Sequence, residues 1–393
     1  DKWASLLVPV AVIIAIITGL ATGNLVRAVT VLVVFCPCAL VLATPTAVMA
    51  AIGQATKYGV IIKSGDVLER MSRVDTIAFD KTGTLTKGNL VVTDVYPFTE
   101  EVNKEQLLQL TASAEAYSEH PLAKAITSYA KEQQIELLQS HGFKMISGKG
   151  IKAEINGQTL ICGNSDFIRE YNVHIDEAVV ITLERFRSQG KALILTANQK
   201  QLIGAITLSD TLRDSSKDMI TELKKTHTSV ILLTGDHEQT AKYFADQIGI
   251  DDIHAGLLPA QKVEEIRKLQ AQGHNICMIG DGVNDAPALK TADIGVAMGT
   301  MGSDIAVDAA DIALMSDDIS KIPYLKRLSD AAVKTIKFSI GLSLFINFIA
   351  ISLSIAGILT PTTGALVHNA GSIFVVLIAT LLYDRKFIDE KPM

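Results

Sequence analysis

Four long uncharged apolar stretches constrain what this 393-residue chain can become. Residues 4–20, 28–56, 338–359 and 362–383 carry no charged side chain, His368 being the only titratable imidazole among them. Each is about long enough to cross a hydrocarbon core of roughly 30 Å. They form two pairs, one toward each end, with about 280 residues of ordinary soluble composition between them on the usual span lengths. Lys57, Lys63 and Arg70 follow the first pair; Lys326, Arg327, Lys334 and Lys337 precede the second, and Arg385 and Lys386 follow it. The positive-inside tendency puts all these flanks on the cytoplasmic side. The expectation is a multi-pass protein of the cell membrane, embedded in a lipid bilayer, with its large domains cytoplasmic. Helix pairs are expected at 1–56 and 334–384.

Composition agrees: hydrophobic residues make up 48% and charged residues 20%. A net charge of −6 gives no case for nucleic acid as a partner. The four cysteines, Cys36, Cys38, Cys162 and Cys277, do not make a secreted disulfide framework. The chain begins at Asp1 without a methionine or a signal-peptide n-region, which leads us to expect a fragment of a longer protein.

In the middle, Asp80 opens the run Asp80-Lys81-Thr82-Gly83-Thr84-Leu85-Thr86, directly after the apolar residues Ile77, Ala78 and Phe79. A carboxylate at the end of a buried strand stands where open α/β sheets put their reactive groups. Such carboxylates form aspartyl-phosphate intermediates. Two residues on, a hydrolase of this kind often carries a second acid to activate water; Thr82 stands there, and a threonine hydroxyl does no acid–base work near neutral pH. The acyl phosphate is therefore expected to persist. Thr234-Gly235-Asp236 follows the apolar run Val230–Leu233, with a hydroxyl and backbone N–H suited to a transferred phosphoryl group. Lys262 lies downstream and can neutralise phosphate charge. Gly280-Asp281-Gly282-Val283-Asn284-Asp285-Ala286-Pro287 follows Ile276–Ile279. Its two carboxylates suit Mg²⁺, which takes oxygen ligands and usually needs only one or two carboxylates beside phosphate and water.

Strand-like runs at Ile203–Leu208, Val230–Leu233, Ile276–Ile279 and Ile294–Ala297 alternate with helix-like ones. That alternation predicts a parallel sheet with crossover helices. The expected fold is a set of α-helical transmembrane segments plus a doubly wound parallel α/β domain at 57–95 and 202–325, interrupted by an α+β insertion at 96–201. No Gly-x-x-x-x-Gly-Lys-Ser/Thr loop occurs, so a nucleotide is not held as in P-loop enzymes.

Cys36-Pro37-Cys38 stands in the middle of the second apolar stretch. Proline removes a backbone donor and kinks a helix, and Pro45 is expected to add a second break. An unwound stretch can turn both sulfurs into one cavity. Thiolates select soft ions. His368 in the last apolar stretch is a site candidate by its depth, with Asn347 in the preceding stretch as an oxygen donor.

Together these residues resemble the heavy-metal (P1B) branch of the P-type ATPases. Asp80–Thr86, Thr234–Asp236 and Gly280–Pro287 resemble the phosphorylation-domain signatures, on a haloacid-dehalogenase-like fold. Ser118-Glu119-His120-Pro121-Leu122 resembles the nucleotide-domain signature of that branch, and Cys36-Pro37-Cys38 its transmembrane metal motif. The resemblance implies that ATP phosphorylates Asp80, next to Lys81. It implies that Asp80, Asp281 and the Thr82 carbonyl hold Mg²⁺. Thr234, Gly235, Asp236, Lys262, Asn284 and Asp285 would line the phosphoryl site. Glu115, His120, Gly148, Gly150, Gly163 and Asn164 would form the ATP pocket. The transported cation would meet Cys36, Cys38, His368 and Asn347, and a monomer is expected. The motifs that mark the copper, zinc/cadmium and cobalt branches are each incomplete here, and zinc or cadmium is the favoured cargo, with Cu⁺ or Co²⁺ as alternatives. No Thr-Gly-Glu loop occurs, so the actuator and the amino-terminal metal-binding domain are expected to be missing. A membrane-tethered phosphatase of the same fold is the rival of another class; Thr82 and the cysteine pair argue against it.

Overall fold

In a computed structural model of the chain, residues 2–35, 38–146, 148–199, 201–299 and 304–387 are described, without the side chains of 2–7, 38–40 and 283. Thirteen strands occur among them: β1 (Val60–Ile62), β2 (Thr76–Phe79), β3 (Thr86–Pro97), β4 (Ser140–Ile146), β5 (Gly150–Ile155), β6 (Gln158–Gly163), β7 (Ala192–Asn198), β8 (Leu202–Leu212), β9 (Ser229–Leu233), β10 (Asp252–His254), β11 (Ile276–Gly280), β12 (Ile294–Ala297) and β13 (Ile312–Leu314). The chain divides into two units, one of residues 1–75, 267–278 and 289–393, the other of 76–266 and 279–288.

The second unit holds two kinds of sheet. β2 and β9 pair in parallel with Phe79 opposite Leu232, and β9 pairs in parallel with β10. Helix Glu238–Ile248 makes the crossover between β9 and β10, as parallel neighbours require. All four residues of β2 are buried, which is why the strand reads as an unbroken apolar run. Beyond it the chain turns through Gly83 and enters an antiparallel sheet of order β3-β8-β7-β6-β5-β4. Helices Lys104–Glu115 and Pro121–Glu132 pack with this sheet around Leu107, Ile126, Leu160 and Ile206, each at most 1% exposed. Asn103 starts the first helix through a capping box with Gln106, which satisfies two end donors at once. Inside the core, the hydroxyls of Thr111 and Thr196 share a buried hydrogen bond of 2.7 Å.

One strand departs from expectation. The run Ile203–Leu208, read as a member of the parallel sheet, pairs antiparallel with both β3 and β7. Its residues are buried along the whole run. A strand covered on both faces loses the alternation that usually marks antiparallel partners, so its pattern mimics that of a parallel strand.

The first unit contains helices Lys2–Thr22, Leu25–Val34, Cys38–Lys57, Lys321–Ile355 and Pro361–Thr380. It also contains β1 paired antiparallel with β13, and β13 paired in parallel with β12. Arg70 ties helix Asp66–Arg73 to this part, donating to the Asp293 carbonyl at 2.6 Å and to Asp311 at 2.8 Å. Lys321–Ile355 and Pro361–Asp384 are long and apolar enough to cross a membrane, and only 22% of the most apolar window of each is buried. Apolar surface left that open suits lipid rather than a protein core. Val8–Thr22 and Leu25–Val34 are apolar but shorter. The stretch 28–56 is thus not one continuous helix: Leu25–Val34 starts on the Asn24 cap, and a second helix begins at Cys38. Pro45 does not add a break, for helix Cys38–Lys57 runs through it. Membrane helices tolerate proline where the surroundings satisfy the freed carbonyl, which here is that of Val41.

Leu107 is fully buried under β8, against Gly204. We expect Leu107→Ala to destabilise the second unit by about 3 kcal/mol through lost contact and a residual cavity. Chemical denaturation followed by tryptophan-independent far-UV dichroism checks it.

Candidate functional site

Asp80 ends β2, and its backbone N–H donates to the Ile279 carbonyl of β11 at 2.9 Å. That bond fixes two neighbouring strand ends, so the residues that follow them, Asp80 and Asp281, emerge side by side. The Lys262 ammonium, on helix Pro259–Ala271, donates to Asp80 Oδ1 and, at 2.8 Å, to Asp285 Oδ1. Oxygens of Asp80, Asp281 and Asp285 all lie within 4.8 Å of one another. Lys262, Asp80 and Asp285 are all buried.

Three carboxyls around one ammonium leave a surplus of negative charge. Burial pushes the Asp80 carboxyl up to about 7, with repulsion from Asp285 adding to it and Lys262 opposing it. Burial also pushes Asp281 up to about 6, again with Asp285 adding. Lys262 is raised: burial acts against its charge, but Asp80 and Asp285 outweigh that. Such a cluster of oxygen donors with unbalanced charge fits a hard divalent cation such as Mg²⁺.

The loop after Asp80 is held from a distance. Gly83 has φ 71, a left-handed conformation that favours glycine, and a Cβ there would collide with the Asp281 carboxylate. Arg213 Nε donates to the Thr84 carbonyl at 2.8 Å and its Nη2 to the Gly83 carbonyl at 2.7 Å. Ser216 Oγ donates to the Leu85 carbonyl at 2.8 Å. The sequence offered no sign of Arg213 or Ser216, because their partners are main-chain carbonyls more than a hundred residues earlier.

The remaining residues of the expected set are placed unequally. Thr234 is buried just past β9, its backbone N–H donating to the His254 carbonyl at 3.0 Å. Its hydroxyl accepts from the Asp236 N–H at 3.2 Å, across Gly235. Lys81 turns away from Asp80: its ammonium pairs with Asp236 and lies 4.9 Å above the Phe244 ring. Thr82 is exposed, and Asn284 sits exposed in the turn Val283–Asp285.

A second feature of this unit is a cavity of about 310 Å³ lined by Glu115, His120, Gly148, Gly150, Gly163 and Asn164 together. Gly150 and Gly163 face each other across β5 and β6, and a Cβ on either would meet the other's backbone. His120 Nδ1 accepts from the Leu122 N–H at 3.3 Å and so caps helix Pro121–Glu132; its ring still lines the cavity. Glu115 is buried among these lining residues, and burial pushes its carboxyl up to about 7, against the lowering effect of the Ser118 hydroxyl that bonds it. Leu122, Ile146 and Leu193 supply apolar wall. A concave, mostly apolar site with a few placed polar groups is the usual form of a small-molecule pocket.

In the first unit, Asn347 and His368 come together around a small void with Ser343 and Ser372. His368 hydrogen-bonds the Val34 backbone, and its Nε2 is buried without a partner among the described residues. Cys36 and Pro37 lie outside the described residues, and of Cys38 only its place in a helix is described.

Comparison with known proteins follows this geometry. Residues 74–293 match the haloacid dehalogenase-like hydrolase family, which accounts for the Asp80 site. A zinc-exporting P-type ATPase of Mycobacterium marinum is 38% identical over 377 residues, covering 96% of this chain and 52% of its own length. A manganese-exporting P-type ATPase of Mycobacterium tuberculosis is similar to the same extent. A copper-exporting P-type ATPase of Staphylococcus saprophyticus is 40% identical over 396 residues, covering 98% and 49%. The crystal structure of a zinc-transporting PIB-type ATPase in its E2.Pi state superposes with a TM-score of 0.88 at 31% identity, covering 96% of this chain and 62% of that one. The chain belongs to the haloacid dehalogenase-like hydrolases and, within them, to the heavy-metal P-type ATPases. It spans about half the length of the curated relatives it matches.

A carboxyl whose folded pKa is raised binds its proton more tightly than in the unfolded chain, so it lowers stability as pH rises from the unfolded value to the folded one. For Asp281 that window runs from 3.8 to about 6. We expect Asp281→Asn to raise the melting temperature by a few degrees at pH 8 without Mg²⁺, about 1 kcal/mol once solvent screening of a half-buried group is discounted. The gap should close near pH 4, and Mg²⁺ should favour the wild type instead. Calorimetry across pH, with and without Mg²⁺, checks it.

Proposed function

We propose that this chain carries the phosphorylation, nucleotide and ion-binding parts of an ATP-driven pump that moves a soft heavy-metal cation across the cell membrane. The observation that carries the reading is Asp80, buried at a strand end among Asp281, Asp285 and Lys262, with Thr82 where a hydrolase would hold a second acid.

In this reading Asp80 attacks the γ-phosphorus of ATP in line, its carboxylate oxygen forming the new bond as the bond to ADP breaks. Lys262 offsets the repulsion between the two anions. Thr234 and the Gly235 N–H receive the transferred phosphoryl oxygens, and Asn284 and Asp285 border them. Asp80, Asp281 and the Thr82 carbonyl would hold Mg²⁺, which when bound supplies charge neutralisation for the transferring group. Glu115, His120, Gly148, Gly150, Gly163 and Asn164 hold the adenosine end. Above about pH 7 the Glu115 carboxylate accepts from the exocyclic amine of adenine; in its protonated form it suits a carbonyl there instead. The Lys81–Asp236 pair stands beside this set, orienting the Asp80 loop.

Within the membrane, Cys36 and Cys38 would offer thiolates and His368 its free Nε2, with Asn347 beside it. An imidazole held by a carbonyl on one nitrogen is oriented for a metal on the other. Zinc or cadmium is the favoured cargo, a choice supported by that imidazole and by zinc-exporting relatives; the copper- and manganese-exporting relatives name the competitors.

Incubation with γ-labelled ATP and Mg²⁺ should give an acid-stable label that Asp80→Asn abolishes. Thr82→Asp should cut the steady-state label by about a hundredfold, the usual worth of a positioned general base. Persistent labelling of Asp80→Asn would sink the reading. In native membranes, Zn²⁺ or Cd²⁺ should stimulate ATP hydrolysis; stimulation by Cu⁺ alone, or by Mn²⁺ alone, would overturn the choice of cargo. ATP should outcompete inosine triphosphate more strongly at pH 8 than at pH 6, and Glu115→Gln should flatten that difference.

A further inference from the structure

Arg27 is the one charged side chain between residues 3 and 56, and residues 338–383 carry none. It stands in the first turn of helix Leu25–Val34, just after helix Lys2–Thr22 ends. The cationic residues Lys2, Lys57, Lys326 and Arg385 lie toward the opposite ends of the long apolar helices. Arg27 is thus alone on the side away from them, where the positive-inside tendency disfavours it. The dipole of its own helix disfavours it too, because the first turn is the positive end.

Its partner lies on another helix. Arg27 Nη1 donates to the Ile355 carbonyl at 3.1 Å, and Ile355 is the last residue of helix Lys321–Ile355. The final carbonyls of a helix have no partner within it and carry the negative end of its dipole, so a guanidinium suits that place. The turn that follows is shaped around it. Gly357 has φ 81, and a Cβ there would meet the guanidinium. Helix Leu25–Val34 is gripped along its length as well. A Cβ on Gly364 would meet Val34 and Thr30, and one on Gly19 would stand 3.2 Å from the Ala28 Cβ. Thr30, Val31 and Val34 are fully buried. The last residue of the helix, Val34, is the backbone partner of His368. Arg27 therefore fixes one end of a short rigid element, about 15 Å long at the usual rise per residue, and His368 meets the other.

We infer that Arg27 is a positioning residue for metal binding: its bond to Ile355 holds helix Leu25–Val34, and with it the backbone that orients His368, in the arrangement the cation meets. This rests on the proposed function, since it needs a metal at His368. A site whose elements are held before the ligand arrives loses less ordering entropy on binding. Release of Arg27 should then weaken the metal and spare the chemistry at Asp80, which belongs to the other unit.

The test is metal-stimulated ATP hydrolysis in native membranes, with labelling of Asp80 from γ-labelled ATP measured beside it. Arg27→Ala should raise the Zn²⁺ concentration for half-maximal stimulation by roughly three- to tenfold, the worth of one hydrogen bond at a partly exposed site. The maximal rate, and the label formed at saturating Zn²⁺, should stay within about twofold of wild type, the pattern of a lost binding term. Arg27→Lys should recover part of the affinity. Gly357→Ala, which displaces the guanidinium, should shift the half-maximal concentration in the same direction, and the double variant should shift it no further than the larger single change. A fall in maximal rate with the half-maximal concentration unchanged would mean a structural role and overturn the inference, as would additive shifts in the double variant or no shift at all. Stimulation by a competing ion in place of Zn²⁺ overturns the choice of cargo alone, and the same titration is then read with that ion. A wild-type enzyme that no heavy-metal cation stimulates overturns the pump reading itself and this inference with it.

Discussion

The buried Lys262 ammonium, shared between Asp80 and Asp285, is the interaction on which the second unit is organised. One cation cannot balance three carboxyls, and Asp281 completes a cluster whose oxygens stand within 4.8 Å of one another. Like charges that close raise each other's proton affinity, and the raised values of Asp80 and Asp281 express the imbalance. Such a site is not built for maximal stability. Its surplus of negative charge suits a bound cation, and strained electrostatics of this kind concentrate where chemistry occurs.

The sheet supplies the precision this needs. The Asp80 N–H bonded to Ile279 sets β2 beside β11, so their reactive residues need no further alignment. Gly83 lets the chain turn over Asp281 without collision, and Arg213 with Ser216 holds the turn by its carbonyls. In the antiparallel part, the close approach of Gly150 and Gly163 opens a floor for the cavity, while Glu115 and His120 reach it from the end of one helix and the start of the next. His120 serves both as helix cap, through Nδ1, and as cavity wall.

Much of this was legible from residue order. Each of Asp80, Thr234 and Asp281 follows an apolar run, and the strand-end rule for α/β sheets placed all three correctly at carboxyl ends. The glycines around the Glu115 cavity were read from motif resemblance, and all six named residues do line one cavity. Other features were not legible. Nothing in the spacing showed that Lys81 would turn to Asp236 and the Phe244 ring rather than to Asp80. The β8 run misled because burial on both faces hides the period of two. In the apolar stretch 28–56, the stop at Val34 and the passage of a helix through Pro45 are backbone features that average hydrophobicity does not encode.

By itself the sequence marked the residues suited to the chemistry: a carboxylate after an apolar run, a threonine two residues on, and apolar pairs that bracket the segments between them. Those conclusions follow from residue type and local order, which a linear chain displays. Only the tertiary structure decided which side chains share a cavity. Glu115 and Asn164 line one cavity although about fifty positions separate them, and Asn347 meets His368 across two helices. Proximity of that kind arises from packing between distant segments, and no period or motif in the chain records it.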